Sequence, residues 1–389
     1  MQTLAALGQM VTRSVMVACV GMIAPLVSVL APAIAASDRD LRDLAATGVC
    51  IRCDLTNADL SNLNLAGVTL RESDLTGANL SGSNLTSAVL SETTLANANF
   101  TDTILDRAEL NRAIGISAIF RRADLRQAIA DGADFSLADF SDSDARRASF
   151  EGAKLGGSYW RGADASETNF RYALMGRVNL RESDCVRADF TGAKLSFANW
   201  RYANLQQAIF DGALLNDVSG ESARLDSISA IEANFSNARL ADAFLWEANL
   251  RRAILTGVRA PRAVLTGASL TGTVAIGADF GDADLSGVSL NLADLSGANL
   301  EFADLSGAVL SESELVGADL TGTNLSRAYL YSTNLTAARL WETVLREADL
   351  TQAVLDGAIV RYVDFSEVVL VDAVLNDLDA IGAIGLAIE

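Results

Sequence analysis

The side chains able to carry chemistry are few. There are four cysteines (Cys19, Cys50, Cys53 and Cys185) and no histidine. Without histidine the chain lacks the one side chain whose unperturbed pKa lies near neutrality, and the commonest metal ligand. Acid–base or zinc chemistry would fall to carboxylates, lysine or cysteine alone. Cys50 and Cys53 form a C-x-x-C pair, which suits a disulfide, free thiols or a redox site. The redox reading needs a thioredoxin-like βα context, and none surrounds it. Carboxylates are abundant but recur at a fixed interval, as a solvated surface does. No glycine-rich phosphate cradle, Ser/His/Asp set or Cys/His cluster is present. The sequence therefore predicts no catalytic, cofactor-binding or metal-binding residue and no cofactor, with Cys50 and Cys53 as a candidate disulfide.

What positions these residues is a repeat. Leu55, Leu60, Leu65, Leu70, Leu75, Leu80, Leu85, Leu90, Leu95 and Phe100 begin a column that holds one phase to Leu375. Of its 65 positions, 52 are Leu or Phe. Two residues earlier runs a second column (Ala58, Ala78, Ala88, Ala98), where Ala fills 42 of 65 places and only Leu63 and Ile228 exceed Val in size. Between the columns stands Asp or Asn, and after the large residue Ser, Thr or Arg, often followed by Gly. A period of five fits neither the helical 3.6 nor the strand period of 2. It suits one side of a compact coil that cannot bury its large residue alone, so that neighbours must stack.

The pattern A-[DN]-[LF]-x-x resembles the pentapeptide-repeat family over about 320 of the 389 residues. The resemblance implies an all-β fold: a right-handed quadrilateral β-helix, one pentapeptide per side and twenty residues per coil. That gives about 16 coils, and at about 4.8 Å per coil a solenoid of roughly 75–80 Å.

Residues 1–35 read as a signal peptide: Arg13 as the single charge, an apolar run from Val15 to Ala35, and Ala33-Ile34-Ala35 at its end. The alternatives are an uncleaved anchor, weakened by Pro25 and Pro32, and a lipoprotein site at Cys19. Residues 36–53 read as a cap. Ser37-Asp38, Leu41, Leu44 and Gly48 spell an N-capped helix with a glycine stop, followed by the C-x-x-C pair. In an exported protein that pair favours a disulfide. Residues 54–375 form the β-helix. Residues 376–389 leave the pattern and can cap the last coil, pair with a second copy or hang loose.

Residues twenty apart should be vertical neighbours. Phe100, Phe120, Phe140 and Trp160 then form one ladder, and Phe150, Phe170, Phe190 and Phe210 another half a coil away. Small residues between them (Ala145, Ala165, Cys185) offset their volume, which marks the aromatics as packing. Outside, Asp124, Asp144, Asp164 and Asp184 should stack, with Arg161, Arg181 and Arg201 offsetting them. Two irregularities, at 216–232 and at Ala260-Pro261, predict loosened or bulged coils.

The net charge of −19 excludes a phosphate-backbone footprint. It favours solubility or a basic partner. The sequence supports a non-enzymatic, exported scaffold or protein-interaction module in a periplasm or thylakoid lumen. Its partner would be protein, without nucleic acid, and without membrane after signal cleavage; a homodimer through the C-terminal end is the accompanying expectation. The alternative is an acidic rod that mimics DNA and binds a type II topoisomerase, as quinolone-protecting family members do. Residues 263–326 carry nine Asp or Glu and no Lys or Arg, which favours mimicry. An exported chain would not meet such a target.

Overall fold

The computed structural model describes residues 36–386; the expected signal segment, with Cys19, lies outside them. The chain divides after Asp189 into two compact units.

Both units are built from one corner, repeated. At most corners the N–H of the small inward residue donates to the carbonyl of the large residue three positions before it, as from Ala58 to Leu55 at 3.1 Å. The residue between, Asn57 here, has φ 54°. A positive φ at the third position of a four-residue turn defines type II and explains the preference for Gly or Asn there. The outward Asp or Asn then accepts from the next free N–H: Asp54 Oδ1 takes the Thr56 amide at 3.1 Å and the Thr56 hydroxyl at 2.6 Å. One pentapeptide thus closes its own turn and satisfies its own polar groups.

Within each unit, outward residues also bridge in parallel to the residue twenty positions on, for example Asp54 to Asp74 and Asp59 to Asn79. Four such columns run through each unit, so twenty residues make one four-sided coil. The inward columns are buried almost throughout. A fully buried Leu or Phe contributes about 1.5–3 kcal/mol, so neighbouring coils supply what no single pentapeptide can.

Residues 36–189 open with helix α1, Asp38–Thr47. The Ser37 hydroxyl accepts from the Asp40 N–H at 3.3 Å. Asp38 and Asp40 lie in the first turn, where the helix dipole favours them. Gly48, at φ 69°, ends the helix and donates to the Leu44 carbonyl. Leu41 and Leu44 are buried. The Asp54 N–H, which in the ladder would face a carbonyl 21 residues earlier, donates to Asp40 Oδ2 at 2.9 Å.

The aromatic ladder stands as expected within this unit. Phe100, Phe120, Phe140 and Trp160 stack with centroids 4.7, 4.8 and 4.2 Å apart. Phe150 and Phe170 stack at 5.6 Å and meet the first ladder edge-on, Phe150 to Trp160 at 5.3 Å. Phe135 joins the cluster, 5.3 Å from Phe120. Its space comes from Gly115, where a Cβ would meet the Phe135 ring at 2.5 Å.

In residues 190–386 the expected loosening at 216–232 does not occur. Bridges run unbroken through Ser219–Arg239, Arg224–Phe244 and Ser229–Asn249. The space that Gly220 leaves is taken by Trp200 and Leu240, so a missing side chain is matched by a large one in the coil before it. Pro261 is equally regular, its carbonyl accepting from the Asp242 N–H at 3.0 Å. Ala260 leaves only a small apolar cavity of ≈ 10 Å³, lined by residues including Leu240, Leu255 and Phe280. The coil path also runs past Leu375: Ile359 bridges Asp379 and Asp364 bridges Ile384.

Candidate interaction surface

The residues singled out for chemistry are spent on structure. Cys50 and Cys53 form a disulfide with Cα atoms 5.6 Å apart, directly after α1. The Cys50 carbonyl accepts the Ser73 hydroxyl at 2.8 Å, and that hydroxyl accepts the Cys53 N–H at 3.0 Å. Cys185 is fully buried, and desolvation pushes its thiol up to about 12 against a weaker opposing hydrogen bond from Ser183. It supplies no thiolate near neutrality. Among the described residues no group of three or more His, Cys, Asp or Glu is placed to hold a metal ion. No helix among them is long and apolar enough to cross a membrane.

Buried hydroxyls in the small column donate to backbone carbonyls in one of two ways. Thr323 donates to the Leu300 carbonyl at 2.7 Å and Thr333 to the Leu310 carbonyl at 2.7 Å, both 23 residues back. Others turn to their own corner, as Ser158 does toward Leu155 at 2.7 Å. These hydroxyls staple coils and corners.

Three of the stacked aspartates, Asp124, Asp144 and Asp164, are compensated by arginines other than those expected. Arg126 binds Asp124 at 2.6 Å and reaches Asp144 at 3.8 Å; Arg146 binds Asp144 at 2.5 Å and reaches Asp164 at 3.4 Å. A residue two positions on begins the next corner, and its side chain folds back over the aspartate it follows. Arg161 and Arg181 instead pair with Glu182, and Arg201 with Glu221. Burial alone would raise Asp144, yet hydrogen bonds from Arg146 outweigh it and hold the carboxyl below its ordinary value.

The acidic stretch 263–326 does not gather on one face. Asp284 bridges Asp304 in one column, and Asp294 bridges Glu314 in a column half a coil away. Amides of the following coil cover several of these groups: Asn299 donates to Asp279 at 2.9 Å, Asn324 to Asp304 at 3.0 Å and Asn334 to Glu314 at 2.7 Å.

Sequence reasoning missed a set of exposed rings. Phe302 and Tyr362 occupy the left-handed corner position, at φ 58° and 57°, where Gly or Asn is the unstrained choice. They are 62% and 57% exposed, and Trp341 beside them is 41% exposed. The available signal was an aromatic residue at a corner that elsewhere holds mostly Gly or a polar residue, followed by Gly twenty residues later. A Cβ on Gly322 would meet the Phe302 ring at 2.5 Å, and one on Gly382 the Tyr362 ring at 2.6 Å.

A family model described as pentapeptide repeats matches residues 53–114, 118–219, 221–291, 293–330 and 333–384, once overlapping matches are joined. Among solved structures, the chain is similar to HetL, a pentapeptide repeat protein involved in heterocyst differentiation regulation from the cyanobacterium Nostoc sp. strain PCC 7120. The identity is 28% over 58% of this chain and 90% of that one, with a TM-score of 0.35. It is also similar to QnrB1, a plasmid-mediated fluoroquinolone resistance protein, at 20% identity over 52% and 89% of the two chains and a TM-score of 0.23. A pentapeptide repeat protein of the Arabidopsis thaliana thylakoid lumen matches at 26% identity over 26% and 63%, with a TM-score of 0.13. No curated protein matches the sequence.

Proposed function

The chain belongs to the pentapeptide-repeat family, whose members are right-handed β-helices and not enzymes as a class, and from that premise we propose that it is an exported scaffold that binds protein through its outer columns. The observation that carries this reading is the division of labour among side chains. The two inward columns are committed to packing along both units, and the outward carboxylates and hydroxyls close turns. What changes from coil to coil is the outer surface, which is free to recognise a partner.

Export rests on the order of residues 1–35, with one charge, a long apolar run and Ala33-Ile34-Ala35. The Cys50–Cys53 disulfide suits an oxidising compartment such as a periplasm or thylakoid lumen. Helix α1, with Leu41 and Leu44 against the first coil, serves as the cap that a solenoid end requires.

The test is cross-linking in the exported compartment from outward positions such as Ser296. Capture of one protein at near-stoichiometric yield supports the reading. Reaction only with solvent or indiscriminately with many proteins, at every outward position tried, contradicts it.

The absence of Lys and Arg from 263–326 favours one second reading, a DNA-mimicking rod directed at a type II topoisomerase. The distribution of those carboxylates over separate columns weighs against a continuous phosphate-like track. Purified protein at micromolar concentration should then leave gyrase supercoiling unaffected; inhibition would revive mimicry.

A further inference from the structure

One corner of residues 301–382 carries aromatic rings that the fold does not need. Its successive turn pairs are Glu301-Phe302, Thr321-Gly322, Trp341-Glu342, Arg361-Tyr362 and Ile381-Gly382. Backbone hydrogen bonds tie them into one ridge: Phe302 donates to Thr321 at 2.9 Å, Gly322 to Trp341 at 2.8 Å, Glu342 to Arg361 at 2.9 Å and Tyr362 to Ile381 at 3.0 Å. Phe302 lies over Gly322 and Tyr362 over Gly382. The rings of Phe302, Trp341 and Tyr362 therefore follow one another along the corner over about 15 Å, at about 4.8 Å per coil.

Neither stability nor solubility accounts for them. Phe302 and Tyr362 are more than half exposed and gain little by burial, and most non-glycine corners fill their position with Arg, Glu, Asp or Ser rather than a ring. Carboxylates interleave with the rings. Glu301 and Glu342 lie on the ridge and make no ion pair among the described residues. Asp282 stands one coil before Phe302 in the same column. The one cation on the ridge, Arg361, is committed to Asp379.

We infer that this ridge binds a Lys- or Arg-rich protein segment, whose cations stack on Phe302, Trp341 and Tyr362 while pairing with Glu301 and Glu342. The choice of occupant follows from complementarity. Aromatic faces attract cations, the flanking carboxylates are unspent, and the arginines of this stretch, Arg327, Arg339, Arg346 and Arg361, are each paired with a carboxylate. The inference rests on the protein-binding reading above and gives it an address and a chemistry.

The experiment uses the full chain and fluorescein-labelled deca-arginine, with deca-glutamate as control, read by fluorescence anisotropy at about 0.15 M salt. The combined variant Phe302→Ala, Trp341→Ala, Tyr362→Ala should weaken deca-arginine binding at least about tenfold, the sum of modest cation–π terms. Glu301→Gln with Glu342→Gln, which preserves shape, should weaken it and flatten its salt dependence. Tyr329→Ala with Tyr331→Ala, exposed rings on another part of the coil, should change nothing. Equal loss in this control, undiminished binding in the ridge variants or no binding by the unmodified chain would overturn the inference. So would binding of cellohexaose in place of the peptide, or self-association that the ridge variants abolish. A partner cross-linked elsewhere on the surface, with the ridge inert, would sink the ridge and leave the scaffold standing.

Discussion

Trp200 occupies the space in which Gly220, one coil on in the same column, has no side chain. A Cβ on Gly220 would collide with the indole nitrogen and with Cδ1 of the same ring. The pair explains how a glycine can stand in a leucine column without loosening the coil, because the interior conserves volume between neighbouring coils.

Gly220→Ala should therefore destabilise the protein, although alanine is nearer to the repeat consensus. Overpacking of this kind costs about 1–3 kcal/mol. In a Trp200→Leu background the same substitution should become neutral or stabilising. Thermal or urea unfolding of the two single variants and the double variant measures the coupling; additive effects would disprove the volume exchange.

The Trp200 indole N–H is buried without a hydrogen-bond partner, whereas Trp160 donates to Ser158 two residues earlier at 3.0 Å. Ala198 holds the equivalent place before Trp200. Ala198→Ser should supply the acceptor and raise stability by about 1 kcal/mol. A loss of stability would show that Trp200 does not share the geometry of Trp160.

The alternation of inward and outward positions is open to a direct comparison. Ala298 is buried and Ser296, two residues before it, is outward. Ala298→Arg should cost several kcal/mol or prevent folding, since burying an unpaired charge is far costlier than burying a methyl. Ser296→Arg should be almost neutral. Similar melting temperatures for the two would refute the assignment.

Asp284 gives a pH prediction. Burial pushes its carboxyl up, but hydrogen bonds from the Ser286 hydroxyl and N–H and from Thr266 outweigh that and hold it below the ordinary value. A depressed folded pKa contributes stability that is present above the unfolded pKa, about 3.9, and is lost as the pH falls through the folded value. Asp284→Asn keeps an acceptor oxygen and cannot titrate. Its melting temperature should fall less steeply than that of the unmodified protein on acidification below about pH 4. Parallel curves would mean that the carboxylate is not stabilised in the folded state.

The sequence made the inward columns legible because the coil imposes a period of five that no other element shares. The helix at Ser37–Gly48 was legible from its capping residues. What could not be read were relationships set by side-chain reach. Arg126 and Arg146 curl back over Asp124 and Asp144, which the twenty-residue register alone does not reveal. Gly115 with Phe135 and Gly220 with Trp200 become visible only when each column is compared one coil apart. The irregularities at 216–232 read as defects only while each coil is taken alone, since Trp200 fills the space at Gly220 from the coil before. The exposed ridge is hard to read because Phe302 and Tyr362 stand at a corner that accepts many residue types, so an aromatic there reads as noise until its exposure is known.

The central claim, that this solenoid works outside the cytoplasm as a protein-binding scaffold, is tested most directly by fractionating cells and sequencing the N-terminus of the mature protein. The account predicts a chain that begins at Ala36 and is recovered from the exported compartment. Recovery of the chain from the cytoplasm with Met1 in place would contradict it.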